Sequence, residues 1–141
     1  MLNNKDSILL KRSERNFSVL YPILKQLIET RQINLTTSHS SNYNKIISGE
    51  SADNISAQII ETIITKKSKD IKKLAPIYKK LIRPLYLLLD SEIQLYAKLK
   101  KIKLKKQPKS NKLQLFIKSL EEKHPEVKTS IVQSLLKHNK I

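Results

Sequence analysis

The 141-residue sequence predicts an all-α protein, a single compact domain of five or six helices packed as an irregular bundle. Two observations favour this class, and a third predicts a folded core. Apolar residues recur at i, i+3 and i+4 spacing in nearly every segment, as on one face of a helix. Glycine occurs once and valine three times, a composition that argues against a sheet protein. Leu, Ile, Val and Phe supply about a third of the chain, enough for a core.

The first helix is predicted over residues 13–31, where Phe17, Leu20 and Leu24 follow the helical period. Pro22 falls inside this span. Proline is accepted in a first turn and costly later, so we expect Pro22 either to kink the helix or to begin its main part.

A long polar loop is predicted over residues 32–51, because Ser, Thr and Asn dominate there and their side chains compete for backbone groups. The second helix is predicted over residues 52–66. Its inward face consists of isoleucines: Ile55, Ile59, Ile60, Ile63 and Ile64.

The third helix is predicted to begin at Asp70, a suitable N-cap, and to continue to Arg83 with kinks at Pro76 and Pro84. At 100° per residue, its basic side chains all fall on one face and its apolar side chains on the other. The basic face comprises Lys69, Lys72, Lys73, Lys79, Lys80 and Arg83.

The fourth helix is predicted over residues 84–105, with Leu89, Ile93 and Tyr96 on its buried stripe. The stripe ends at Tyr96, whereas the helical propensity continues. Because lysine is almost never buried unpaired, we expect the helix end to stand in solvent. A strand is the alternative for residues 98–106. The lysines of this segment are Lys98, Lys100, Lys101, Lys103, Lys105 and Lys106.

A helical pair is predicted at the C-terminus, over residues 113–141. Apolar residues at helical spacing occur on both sides of Pro125, which suits the first turn of the second helix.

The positive charge is concentrated in a basic band, residues 66–112. The whole chain has a formal net charge of +16, and this band alone contributes sixteen basic and three acidic residues. Lysine outnumbers arginine 24 to 4. Lysine suits phosphate oxygens, whereas arginine more often reads base edges, so the band predicts contacts with a DNA or RNA backbone.

We therefore expect a non-catalytic nucleic-acid-binding accessory protein, whose contacts are the twelve basic residues of the two helical segments above. The alternative is a helical scaffold or adaptor subunit of a larger assembly, whose lysines face an acidic neighbour. It rests on Leu85, Leu87 and Leu88, which would leave apolar surface for a partner on more than one side of the helix.

The composition argues against other functions. The absence of cysteine excludes a disulfide framework, a thiolate zinc site, an iron–sulfur cluster on this chain and a cysteine nucleophile. A single glycine excludes a glycine-rich phosphate loop. Glu121 and His124 are spaced like a metal-ligand pair but lack further ligands. We therefore expect no catalytic residues, no metal and no cofactor.

The location predicted from the sequence is nuclear or cytoplasmic. No apolar run is long enough to span a membrane, and the N-terminus does not resemble a secretory signal. Residues 100–103 fit a short nuclear-import motif.

Overall fold

The computed structural model describes residues 5–38, 42–106 and 109–139, which form an α/β fold. The predicted all-α class is therefore wrong. In chain order the elements are β1 (Ser7–Leu9), α1 (Phe17–Glu29), β2 (Asn34–Thr36), β3 (Lys45–Ile47), α2 (Ala52–Ile64), a 3₁₀-helix (Ser68–Leu74), β4 (Ile77–Tyr78), β5 (Leu81–Ile82), α3 (Asp90–Leu99), α4 (Lys112–Lys123) and α5 (Val127–Asn139).

The five strands form one mixed sheet in the order β2-β1-β3-β5-β4. β1 pairs in parallel with β2 and β3, and β3 pairs in parallel with β5. Only the edge strand β4 is antiparallel to its neighbour. The register places Ile8 opposite Leu35, and Ile46 opposite Leu81. β1 lies inside the sheet, between β2 and β3, and its Ile8 and Leu9 are fully buried, so these apolar residues are consecutive instead of alternating with polar ones.

The short strands explain why the periodicity predicted helices alone. Each strand has only two or three residues, too few to show a period of two. β2 and β3 lie inside the predicted loop of residues 32–51. The predicted third helix is replaced by the 3₁₀-helix and the β4–β5 hairpin.

Several backbone turns use lysine where glycine is usual. α2 and α3 both end in a Schellman motif, with Lys66 and Lys101 in the left-handed conformation at φ 57° and 56°. Lys79 has φ 52° at the first position of the β4–β5 turn. Since the sequence contains no glycine at these points, it does not mark where the elements end.

Of the three prolines predicted to kink helices, Pro22 lies inside a helix, whereas Pro76 and Pro84 do not. Pro22 lies in the second turn of α1, which continues through it to Glu29. Pro76 and Pro84 kink no helix, because one precedes β4 and the other follows β5.

The predicted fourth helix is shorter than expected at both ends. α3 begins at Asp90, after a turn in which Leu85 is buried, and ends at Leu99. Residues 102–106 are neither helix nor strand. Ile102 and Leu104 pack against the core, so this segment lies on the protein instead of standing in solvent as a helix.

Two apolar clusters support the sheet and the helices. One combines β1, β3 and β5 with α1 and α3, and the other combines α2, the 3₁₀-helix and α5. Within the described part of the chain, no helix is long and apolar enough to cross a membrane.

Candidate functional site

The parallel strands create a switch point between β1 and β3. The chain leaves β1 toward β2 on one side and later returns to β3 on the other side. In open α/β sheets, ligands bind at the carboxyl ends of the strands beside such a point. A ligand site is therefore expected beside the loops that follow β1 and β3.

These two loops are in direct contact. The side-chain amide of Asn16 donates to the carbonyl oxygen of Gly49 over 2.8 Å, and the N–H of Gly49 donates to the Glu14 carboxylate over 2.9 Å. A Cβ atom on Gly49 would lie 2.0 Å from the carbonyl oxygen of Arg15. The one glycine of the chain thus permits close contact between two loops, and the loop after β1 presents charged side chains instead of glycines.

A pocket of about 330 Å³ opens beside the loop that follows β1. This volume is at the lower end of the range for small-molecule sites. The N-termini of α2 and α3 contribute to it, together with α4 and α5. Its lining residues are Arg15, Asp53, Asp90, Ser91, Gln94, Ser110, Gln114, Ile117, Lys118, Glu121 and Lys128.

Three ion pairs and one hydrogen bond join the five segments around the pocket. Arg15 Nη2 lies 2.8 Å from Asp90 Oδ2, and the N–H of Asp90 donates to Asp53 Oδ2 over 2.8 Å. Lys128 lies between two carboxylates, in contact with Asp53 and 2.7 Å from Glu121 Oε2. The network therefore positions α2, α3, α4 and α5 around one opening.

The Lys128 ammonium is stabilised in its charged form. Burial lowers its pKa, but the hydrogen bonds to Asp53 and Glu121, with the charges of both carboxylates, outweigh burial and raise the pKa above its ordinary value. Lys128 therefore remains protonated at neutral pH. It acts as a fixed cation and not as an amine nucleophile.

Hydrogen-bonding capacity remains in the Arg15–Asp90 pair. Arg15 Nε and Asp90 Oδ1 are buried and have no hydrogen-bond partner within the described ranges. Exposed polar side chains of Ser91, Gln94 and Ser110 line the same pocket. Because Arg15 and Lys128 are already paired with carboxylates, the exposed polar side chains and the unpartnered atoms of the Arg15–Asp90 pair are available to contact a ligand.

The lysines predicted to bind nucleic acid lie in two separate groups. The first is on the 3₁₀-helix and the β4–β5 hairpin, elements that contact each other. The second is on the C-terminal part of α3 and the segment after it. All are exposed: Lys69, Lys72, Lys73, Lys79 and Lys80 in the first group, and Lys98, Lys100, Lys101, Lys103, Lys105 and Lys106 in the second.

Some of these lysines also have intramolecular partners. Lys73 forms an ion pair with Asp70 at 2.7 Å, and the Lys79 ammonium lies 5.4 Å from the centre of the Tyr78 ring. Lys105 donates a hydrogen bond to the carbonyl oxygen of Arg12. The remaining lysines of both groups present their charge to solvent.

Arg83 is placed differently from the other predicted contacts. It is 7% exposed, and its Nε lies 2.6 Å from a carboxylate oxygen of Glu50. Its Nη1 donates to the carbonyl oxygen of Ala75 over 2.7 Å. Burial raises the pKa of Glu50, but the hydrogen bonds from Arg83 and Gln58 and the Arg83 charge lower it below its usual value overall. Arg83 therefore joins two loops of the fold.

The three leucines expected to bind a partner have different environments. Leu85 is 5% exposed and belongs to the core, whereas Leu87 and Leu88 are exposed. They lie in or just after a turn, so the helical surface on which the adaptor hypothesis rested is absent.

The described residues contain no group of three His, Cys, Asp or Glu side chains that could hold a metal. Glu121 contacts Lys128, and His124 Nδ1 lies 3.9 Å from Glu126 Oε1. The two residues spaced like a metal-ligand pair thus have separate partners.

The sequence did not identify the residues of this pocket as a group. Asp53, Asp90 and Lys128 are far apart in the chain, and they come into contact only in the folded protein. One local signal was available. Asp53 follows Ser51, which caps α2 in a reciprocal capping box with Asn54, and this pattern marks a helix N-terminus.

No family model and no curated protein sequence matches the chain. Its fold is similar to a solved structure of the U34-tRNA thiolase NcsA from Methanococcus maripaludis, determined with its [4Fe-4S] cluster. The TM-score is 0.68, the identity is 13%, and the match covers 96% of this chain and 72% of that chain. The similarity shows that the two proteins share a fold over almost the whole of this chain.

This comparison overturns the functional expectation. Both the non-catalytic accessory protein and the helical adaptor assumed an all-α surface, and the observed fold is instead one on which an enzyme is built. The expectation of a non-enzyme is corrected on the same finding, and a nuclear location gains no support from it.

Proposed function

We propose that this protein takes part in the enzymatic modification of tRNA. The observation that carries the proposal is the fold, which matches a tRNA thiolase over 96% of this chain. Fold similarity alone does not transfer an activity. Two features of this chain support the same conclusion, namely its exposed lysines and its pocket at the switch point.

The lysines suit a tRNA substrate because its phosphates are the main source of negative charge. The two lysine groups together present eleven exposed lysines, which account for most of the net positive charge of the band. Lysine contacts to phosphates give affinity without sequence information. We assign this positioning role to the two lysine groups, and we leave out Arg83 because its guanidinium is buried.

The pocket is the candidate active site. It lies where α/β folds bind ligands, and its charged groups are held in place by ion pairs. The carboxylates of Asp53 and Asp90 accept hydrogen bonds there, while Ser91 and Gln94 supply exposed polar groups. Such a set can orient a polar group of a nucleoside.

The iron–sulfur cluster of the structural neighbour does not fit this chain. Clusters of this type are held mainly by cysteine thiolates, and the sequence has no cysteine. No step of the proposed function therefore passes through a cluster bound to these residues.

The test is the nucleoside composition of tRNA from cells that lack the protein. We expect at least one modified nucleoside to fall in amount, as measured by mass spectrometry of digested tRNA, and to return when the wild-type gene is restored. A composition identical to that of the parent cells would contradict the proposal.

A further inference from the structure

The segment after α3, residues 101–105, presents a row of lysines that suits the backbone of an extended polymer; we call this row the track. Along residues 101–105 exposure alternates, with Lys101, Lys103 and Lys105 exposed and Ile102 and Leu104 half-buried. The two apolar side chains pack against the core cluster that contains β1. Since Ile102 and Leu104 pack on the core while the lysines before, between and after them are exposed, the three lysines share the solvent side of the segment.

Both ends of this segment are fixed. At the start, the N–H of Ile102 donates to the carbonyl oxygen of Ala97 over 2.8 Å, which completes the Schellman motif. At the end, the Lys105 ammonium donates to the carbonyl oxygen of Arg12. The lysines therefore stand on an anchored segment, which lowers the entropy lost when a ligand binds.

The spacing suits the backbone of a single strand. Residues two apart on an extended chain are separated by about 6.6 Å. This is close to the separation of successive phosphates along an extended nucleic acid strand. A duplex curves its strands around an axis and places the two backbones on opposite sides of each groove, so a straight row of cations contacts few of its phosphates.

The track leads toward the candidate active site. Lys105 contacts the loop that follows β1, and Arg15 of the same loop lines the pocket. In an unpaired strand the bases are free to turn outward, as they are in most sequence-specific RNA recognition. A strand held by the lysines could then present a base to the polar side chains of the pocket.

We propose that Lys101, Lys103 and Lys105 bind the phosphates of an unpaired RNA segment and direct it to the pocket. This inference rests on the proposed function and names the part of the substrate that the site takes. The ligand is single-stranded RNA, and double-stranded RNA is the competing ligand in the test.

The experiment measures the affinity of a labelled uridine oligomer and of an RNA duplex of equal length at several salt concentrations. The test variant is Lys101→Gly with Lys103→Gln. Glycine suits the left-handed backbone at position 101, so the helix end is preserved while the charge is lost. The control is Lys25→Gln with Lys137→Gln, which removes two exposed charges from α1 and α5.

We expect the wild-type protein to bind the oligomer more tightly than the duplex. For the oligomer, the logarithm of the binding constant falls linearly with the logarithm of the salt concentration. In the test variant this slope should become shallower by about 1.4, at about 0.7 per lost phosphate contact. The control should keep the wild-type slope. Equal slopes in the test variant and the wild type, or equal loss in the control, would overturn the track.

Wild-type binding to tRNA, measured in parallel, separates the two proposals. If the wild-type protein binds tRNA but the test variant keeps the wild-type slope for the oligomer, the assignment of Lys101, Lys103 and Lys105 is wrong and the proposed function stands. If the wild-type protein binds neither tRNA nor the oligomer, both are wrong. Thermal melting of each variant verifies that it is folded.

Discussion

At the scale of single residues, Gly49 determines how closely the loops after β1 and β3 approach each other. Its role is close approach and not an unusual backbone angle, because no glycine of the described chain has a positive φ. The Arg15 carbonyl oxygen occupies the position where a side chain would begin. Any larger residue must displace backbone atoms next to the candidate active site.

We therefore expect Gly49→Ala to destabilise the protein by about 1–3 kcal/mol, the usual cost of overpacking. The free energy of unfolding from urea titrations measures the effect. Ser48→Ala, at the neighbouring buried position, is the control and should cost less. A Gly49→Ala protein within about 0.5 kcal/mol of the wild type, the usual scatter of neutral substitutions, would show that the loops separate freely.

Lys66 has a left-handed backbone conformation that most side chains disfavour. Lys66→Gly removes this strain, while the unfolded chain gains some flexibility. We expect a net stabilisation of about 0.5–1 kcal/mol, measured by urea denaturation. Lys67→Gly is a matched control because Lys67 has φ −89°. That variant should be neutral or less stable, and the same gain from both would contradict the explanation.

At the scale of elements, the ion pair between the buried Arg83 and the half-buried Glu50 joins the chain after β5 to the loop before α2. The pKa of the Glu50 carboxyl is lower in the folded state than its ordinary value of 4.5. The pair therefore contributes stability that is fully present above that value and is lost as the pH falls through the folded-state pKa.

We predict that Glu50→Gln is less stable than the wild type at pH 7 and that the difference narrows below about pH 4.5. Urea midpoints between about pH 3 and 7 provide the measurement. A difference that does not change with pH would show that the charge of Glu50 contributes nothing.

Lys128 links α5 to α2 and α4 through Asp53 and Glu121. Lys128→Met keeps most of the apolar stem but leaves two carboxylates close together without their cation. We expect a loss of about 1–3 kcal/mol in the free energy of unfolding. Lys137→Met, an exposed lysine of the same helix, should have little effect. Equal effects would contradict the importance of the pocket network.

The helices were more predictable than the strands for physical reasons. α1 and α2 have apolar faces long enough to show the helical period, and both lie within the spans predicted for them. β4 and β5 have two residues each, and their turn uses Lys79 in place of glycine. Their sequence therefore resembles a basic amphipathic helix. The pocket depends on strand order, which local periodicity does not contain.

At the scale of the whole molecule, the sequence predicts which segments are positively charged but not the secondary structure that presents their lysines. Segments 69–80 and 98–106 are exposed lysine groups, as their composition suggested, although neither is the helix that was expected. The fold separates them into a hairpin group and a group near the loop after β1. Their contributions to tRNA binding can therefore be measured independently.

The central proposal is that tRNA is the substrate and that these lysines contact its phosphates. It is tested most directly by the salt dependence of tRNA affinity for the wild type and for two triple variants. One is Lys69→Gln, Lys72→Gln and Lys80→Gln, and the other is Lys98→Gln, Lys100→Gln and Lys106→Gln. We predict that the affinity of the wild type for tRNA falls steeply between about 50 and 200 mM salt. In at least one triple variant, the slope of log affinity against log salt concentration should be shallower by about 2–3. Slopes equal to the wild type in both variants, or no wild-type binding in low salt, would contradict the account.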